Sequence, residues 1–393
     1  MVALFKTTAL MGLCLLSQVL GAKLLVTHFS GPLYTLDFNP STSSLKISSQ
    51  TNGCGQIPTW LYLDKAARTV YCFDESWYGS GVLSQYALKS DSSLSLVASA
   101  PTPGNSVHGS LYGGADGKSF VVTSEYSPST ITTYKLPITA QSKPIQTLSF
   151  TMAAPGPRPD RQDKPHPHAA FTDPSGAYLV VPDLGADLTR IFKIDRSSGK
   201  LTACPAISSL PADGPRHGLF RKTASGALKY YSLNEISSSV GVYDVTYPSS
   251  SSGCLSLKLV QTLSNYGPGK TGLETEKSAE IRISGDYLYA TNRNDQTFGK
   301  EQDSIAIFKI GSTDGKLTFQ ELTNAYGYYP RSFSINSAGT YAAIGGQTTA
   351  NVAIVKRDAK TGKLGPLVAN INIAPRGTYG GEDGLSSVIW DEC

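Results

Sequence analysis

The chain has 393 residues, a formal net charge of +4 and 40% hydrophobic residues, while charged residues make up only 16%. The hydrophobic content excludes a disordered chain, and with no Lys/Arg cluster longer than two residues there is no basic patch for nucleic acid. Gly 38, Pro 23 and Tyr 21, with abundant Ser and no long Ala/Glu/Lys/Leu stretch, predict many strands and turns rather than helices.

In chain order, a short basic start from Met1 to Lys6 precedes a compact apolar run from Ala9 to Leu20, and small residues follow at Gly21 and Ala22. This pattern predicts a signal peptide over 1–21 and a secreted, extracellular protein over 22–393. The apolar run is too short for a stable membrane span and is not repeated, so no membrane association is expected. Of the 6 cysteines, Cys14 falls in the leader, leaving Cys54, Cys72, Cys204, Cys254 and Cys393. Export predicts one or two disulfides and at least one thiol unpaired within the chain, with the pairing open. Their spacings fit no zinc motif, and none stands in a His-partnered motif.

A repeat then organises the chain. The segments 113–126 (GGADGKSFVVTSEY), 173–183 (DPSGAYLVVPD), 223–235 (TASGALKYYSLNE), 283–293 (ISGDYLYATNR) and 336–347 (NSAGTYAAIGGQ) each read as strand, tight glycine turn, strand. The segment 63–75 (LDKAARTVYCFDE) is a variant without the glycine. Each is followed by a third strand and then by an apolar strand opening near a leucine: Leu45, Leu94, Leu201, Leu255, Leu317 and Leu364. The gaps are 49, 107, 54, 62 and 47 residues, and the doubled gap leaves room for one more unit around Pro144 to Phe150. Seven units of four strands predict an all-β, seven-bladed β-propeller, with the C-terminal segment 385–390 completing the first blade. A two-sheet sandwich fits neither this length nor this repetition.

In a propeller blade the innermost strand begins, and the second strand ends, beside the central channel. The unusual polar residues fall at those two places. Inner-strand starts carry His108, His168, Arg216 with His217, Glu280 and Arg331; second-strand ends carry Glu75, Tyr126, Asp183, Glu235, Arg293 and Gln347. They predict one axial, concave site for a small ligand. Four of the 5 histidines lie in these segments. His108 and His217 read as structural groups bonded to a neighbouring blade. His168, behind the stiffening Pro165 and Pro167, reads as a proton acceptor near neutral pH. Arg216 and Arg293, facing a shared channel, would form a carboxylate or oxyanion site, with Glu235 orienting the histidine or an arginine. Asp183 is expected to fix a turn. No third ligand group joins the two histidines of PHPH, so a metal site is not expected, and the loop GPGKTG (267–272) lacks the spacing of a phosphate-binding loop.

These segments, KPHPHAAFTDPSGAYLVVPDLGAD, GPRHGLF with SLNEISSSVGVYDV, SAEIRIS with LYATNR, and YYPRSFSINSAGTY, resemble the seven-bladed lactonase family that includes bacterial-type 6-phosphogluconolactonase and the fungal 3-carboxy-cis,cis-muconate lactonizing enzyme. The resemblance runs from about Leu24 to Trp390 and is most specific over the last four blades; Pro58-Thr59-Trp60 departs from an expected Pro-Ser. It implies His168, Arg216, Glu235 and Arg293 as catalytic residues and no metal or organic cofactor. Around them, His166, His217, Glu280, Arg331, Gln347 and Glu75 are the candidates for contacting substrate. With export added, the expectation is a monomeric, secreted, fungal-type member that hydrolyses a sugar-acid (aldono-) lactone by general acid/base catalysis with arginine oxyanion stabilisation. The alternatives are a carboxymuconate-type lactonizing cycloisomerase acting on a small carboxylate and a non-catalytic ligand-binding propeller.

Overall fold

In the computed structural model, which describes residues 21–393 apart from Tyr78, Ser251, Glu382 and Cys393, the described residues contain strands and no helix. The strands form seven antiparallel sheets in chain order. Blade 2 runs from Pro58–Asp64 out to Leu94–Thr102, blade 3 from Ser106–Tyr112 to Gln146–Ser149, and blade 5 from Pro215–Lys222 to Ser256–Ser264. Blade 6 runs from Lys277–Ser284 to Leu317–Asn324, and blade 7 from Pro330–Ile335 to Leu364–Asn372. Blade 4 opens with the short Phe171–Thr172, and its outer strand is split into Leu201–Ala203 and Ile207–Ser208, both paired with Leu188–Ile194. Blade 1 joins the two chain ends. Its innermost strand is the C-terminal Leu385–Asp391, paired with Ala22–His28, so ladder hydrogen bonds close the ring as expected.

The core is distributed over the interfaces between blades. The repeated leucines are the residues that seal them: Leu317 packs among Tyr231, Leu233 and Val240 of the preceding blade, and Leu364 packs among Tyr289 and Ile305. Outer-strand glutamines clamp the same positions, Gln146 accepting from the Leu201 N–H at 2.6 Å and Gln261 from the Leu317 N–H at 2.8 Å. The tyrosine and glycine content has a related cause. The hydroxyls of Tyr112, Tyr231 and Tyr289 donate to Gly199, Gly315 and Gly362 in the next blade at 2.5 to 2.7 Å. Gly362 sits at φ 71°, and a Cβ there would lie 2.2 Å from the Tyr287 ring, so that turn requires glycine.

Two disulfides are present. Cys54 pairs with Cys72, and Cys204 with Cys254, the second joining blades 4 and 5. Cys393 and the expected leader, apart from Gly21, lie outside the described residues.

Candidate active site

One backbone irregularity, repeated around the ring, aims the site residues. In blade 5, Pro215 pairs with Asn234 and His217 with Leu233, which leaves Arg216 as an extra residue on the inner strand. Such a bulge turns a side chain out of the sheet plane. The same extra residue is Thr59 in blade 2, Val107 in blade 3, Arg331 in blade 7 and Ser386 in blade 1. In blade 4 the bridge of Pro167 with Asp183 and the pairing of Phe171 with Val180 put it at His168, and in blade 6 the shift falls at Ala279 and Glu280. Opposite stand the residues that follow the second strands. Glu75, Tyr126, Leu184, Glu235 and Gln347 each donate a backbone N–H to the residue just before the inner strand or its first bridge. Leu184, not Asp183, holds that register in blade 4. The Asp183 carboxylate instead accepts from the His166 and Ala186 N–H groups and from Arg190 at 2.7 to 3.1 Å, which fixes the turn.

The upper tier is built around Glu235. Its carboxylate lies 2.8 Å from Arg216 Nε, 2.9 Å from Arg293 Nη2 and 2.6 Å from Arg161 Nη2. Glu235, Arg216 and Arg293 are each under 6% exposed, so this network works in a low dielectric. Burial alone would raise the pKa of Glu235, but Arg293, Arg161 and Arg216 hold it well below the usual carboxylate range. Burial presses the pKa of Arg216 down, Glu235 opposes this, and Arg293 and Arg331 add to it. Across the ring, Arg331 Nη2 donates to Glu75 Oε2 at 2.9 Å and to Thr59 Oγ1 at 3.2 Å.

His168 is buried against Tyr126 and His217, with ring centroids 5.7 and 5.5 Å away. Burial first, then the positive charge of Arg216, keeps its imidazole neutral well below its usual pKa. It therefore offers a lone pair throughout the neutral range, as a weaker base than an exposed histidine. Two buried nitrogens of this tier have neither a hydrogen-bond nor an ion-pair partner among the described residues, His168 Nδ1 and Arg293 Nε. Unfilled donors and acceptors at zero exposure are costly unless something binds them.

Beneath lies a lower tier that plugs the channel. The rings of Trp60, His108 and His217 pack with centroids 4.4 to 5.4 Å apart. His217 Nδ1 is 3.1 Å from Glu280 Oε1, which also accepts from Arg282 at 2.7 Å. Burial and Arg216 lower the pKa of His217 to about 4; Glu280 overcomes its own burial through Arg282 and His217 and falls to about 2. His217 thus pairs with one oxygen of Glu280, and its ring lies within 3.4 Å of Arg216 Nη1. His166 has both ring nitrogens occupied, by the Tyr126 carbonyl at 2.9 Å and Asp163 at 2.8 Å, and its ring stacks on Tyr126 at 4.0 Å. It anchors the segment ahead of His168. The buried Gln347 amide donates to the Gly381 carbonyl at 2.9 Å.

Sequence reasoning missed Arg161. It lies in the non-repetitive strap 150–165 between blades 3 and 4, which folds back over the channel mouth. Gln162 pins the strap by donating to the Leu184 carbonyl at 3.0 Å, and the Gly156 N–H donates to the Gln162 carbonyl at 2.8 Å. Burial works against the charge of Arg161, and Glu235 with Tyr126 more than restores it. Above this residue opens a cavity of about 380 Å³, lined among others by Arg161, Lys277, Tyr329 and Tyr379.

Seven blades that bring a buried arginine–carboxylate–histidine cluster to the centre of the ring define a β-propeller. The profile of the family described as Lactonase, 7-bladed beta-propeller matches residues 23–378, and the chain belongs to that family. It is 29% identical over 332 residues to a protein of Arthroderma benhamiae named "Probable 6-phosphogluconolactonase", covering 84% of this chain and 81% of the relative. It is 30% identical over 292 residues to a 6-phosphogluconolactonase of Yersinia pestis, covering 73% and 77%. The fold is shared with the Pseudomonas aeruginosa periplasmic gluconolactonase PpgL, with a TM-score of 0.79 and 21% identity over 94% of this chain and 99% of that one.

Proposed function

We propose that the chain hydrolyses a sugar-acid lactone in the upper tier of the axial pocket. The observation that carries this reading is the burial of His168, whose Nδ1 has no hydrogen-bond partner among the described residues, beside the guanidiniums of Arg216 and Arg293 that Glu235 holds. A water attacks the lactone carbonyl while neutral His168 takes its proton. Arg216 and Arg293 receive the negative charge that forms on the carbonyl oxygen. When the tetrahedral intermediate collapses, the ring C–O bond breaks and the alkoxide takes the proton from the His168 imidazolium, giving a hydroxy acid. Glu235 is a positioning residue: held as a carboxylate, it fixes the guanidiniums. The family relatives named as 6-phosphogluconolactonases support lactone opening. The two disulfides support work in an oxidising, exported setting, in keeping with the leader pattern of 1–21.

The test is ring opening of glucono-δ-lactone, followed as acid release at constant pH, with 3-carboxy-cis,cis-muconate as the competing substrate class. Turnover of the lactone is expected to fall at least a hundredfold in His168→Ala and in Arg293→Met, with thermal unfolding confirming that the variants fold. Lactone turnover no faster than in His168→Ala would sink the proposal.

A further inference from the structure

The strap and the loops opposite it enclose the mouth cavity, whose wall is continuous with the reactive tier through two residues. Arg161 lines the cavity and bonds Glu235 at 2.6 Å. Tyr329 lines it too, and its ring centroid lies 5.0 Å from the Arg293 guanidinium carbon. A lactone carbonyl placed at Arg216 and Arg293 would therefore direct a substituent of its ring into this space.

The lining says what kind of substituent fits. The charged residues balance, with Arg158, Arg161 and Lys277 against Asp160, Glu274 and Glu276. Most are already engaged with one another. Arg158 lies 3.0 Å from Asp160 and 3.4 Å from Glu274, Arg161 is committed to Glu235, and Glu276 accepts from the Leu273 N–H at 2.8 Å. A phosphate monoester brings between one and two negative charges at neutral pH and needs an excess of cationic donors. Here it would meet the carboxylates of Asp160, Glu274 and Glu276 at equal number. A hydroxyl both donates and accepts, so it pairs with either member of an ion pair without changing the charge balance. Two aromatic faces complete the lining. Tyr379 is 58% exposed and held in place, its ring stacked on Tyr328 at 5.8 Å and its hydroxyl accepting from Asn294 Nδ2 at 2.8 Å. A rigid exposed ring beside mixed donors and acceptors suits the C–H face of a polyol chain.

We propose that the mouth cavity is a subsite for the uncharged polyhydroxyl arm of the lactone, with Tyr379 and Glu274 as specificity-determining residues that favour the unphosphorylated over the phosphorylated substrate. This rests on the lactonase reading above. The experiment compares kcat/KM for glucono-δ-lactone, its 6-phosphate and δ-valerolactone, which has no hydroxyl arm, in the full chain and in Tyr379→Ala and Glu274→Lys. Gluconolactone is expected to exceed each competitor at least tenfold. Tyr379→Ala lowers the gluconolactone to valerolactone ratio at least fivefold, mainly through KM, and Glu274→Lys shifts preference at least tenfold toward the phosphate. Gluconate binding, titrated by calorimetry, weakens in Tyr379→Ala and reads the subsite without turnover. If lactones are opened but neither ratio moves, or the phosphate is the better substrate of the full chain, the subsite is refuted while the lactonase reading stands. If no lactone is opened, the lactonase reading fails, and unchanged gluconate binding in Tyr379→Ala removes the subsite separately.

Discussion

Replacing Glu235 by glutamine tests whether the arginine network is a coupled unit. The side chain keeps its shape and one acceptor, but it loses the charge that three guanidiniums share at 2.6, 2.8 and 2.9 Å, and it turns an amide N–H₂ toward one of them. At an effective dielectric of about 20 each contact is worth roughly 6 kcal/mol of gross attraction, most of which offsets the desolvation of the charges. Breaking a buried pair from one side costs about 3–5 kcal/mol, and Glu235→Gln belongs at the lower end because an acceptor remains. With about 2 °C lost per kcal/mol in a chain of this size, the melting temperature at pH 7 is expected to fall by about 6 °C. Because the carboxyl is held below its unfolded value, its contribution is present above about pH 4.5 and fades only as the pH drops below that. The gap between wild type and variant therefore persists through the neutral range and closes in acid. Scanning calorimetry at pH 7, 5 and 3.5 reads this, and a double-mutant cycle with Arg161→Met is expected to return a coupling of about 1–3 kcal/mol. A variant that melts within 1 °C of wild type at pH 7, or a cycle that closes to zero, would show that the network is geometric coincidence.

Three further outcomes follow from the same contacts. Glu125 is buried among the hydroxyls of Thr123, Thr130 and Thr132, and burial pushes its carboxyl up to about 8. Its contribution is full below about pH 4.5 and is lost as pH rises to about 8, so Glu125→Gln is expected to flatten the fall in urea midpoint across that window, an effect on the order of several kcal/mol; parallel curves for the two proteins would count against a protonated native carboxyl. His168 stays neutral below its usual range, so the pH–rate profile for lactone opening should lack an acid limb near pH 6.5, and an inflection there that vanishes in His168→Gln would contradict this. The Cys204–Cys254 bond spans 50 residues, for which loop entropy gives about 4 kcal/mol. Cys204→Ala with Cys254→Ala should lower the urea-derived stability by that order, and a loss under 1 kcal/mol would point to a denatured state already compact across blades 4 and 5.

The ring was legible because its cause is local. Turn glycines, second-strand hairpins and the sealing leucines recur with the blade, so period alone places Arg216, Glu235 and Arg293 near one axis. The finer aim depends on the bulge, whose trace in the sequence is a proline just before the extra residue at Pro58, Pro167, Pro215 and Pro330. That trace separates Arg216 and Arg331, which face the upper tier, from His217 below, a division that spacing did not resolve; blade 6 carries no such proline. Two residues were out of reach for different reasons. Arg161 sits on a strap with no period, so only the tertiary path of 150–165 brings it to Glu235; the density of charge in RPDRQD beside PHPH is the one signal that pointed there. Leu184 holds the register one place beyond Asp183, a shift that spacing alone does not reveal, while the turn expected of Asp183 is the one its carboxylate fixes.

The charge of the upper tier connects the fold to its chemistry. Among the described residues, Arg161, Arg216 and Arg293 form ion pairs with Glu235 and Arg331 forms one with Glu75, while Glu280 is paired with His217 and Arg282 in the tier below. The arginines of these pairs outnumber the carboxylates, and their charge adds to burial, the larger cause, in keeping His168 neutral. Such an excess is costly at rest, and rigid inner strands backed by interfaces of buried tyrosine and leucine are what hold it in place. Under the proposed mechanism a neutral lactone would do little to relieve it, whereas the oxyanion formed on attack would relieve it directly. Stabilisation would then be greater in the transition state than in the bound substrate, which is the condition for speeding the chemical step rather than merely tightening binding. On the same mechanism the carboxylate product would keep part of that attraction and slow its own release, so added carboxylates are expected to compete in a lactone-opening assay more strongly than neutral sugars do.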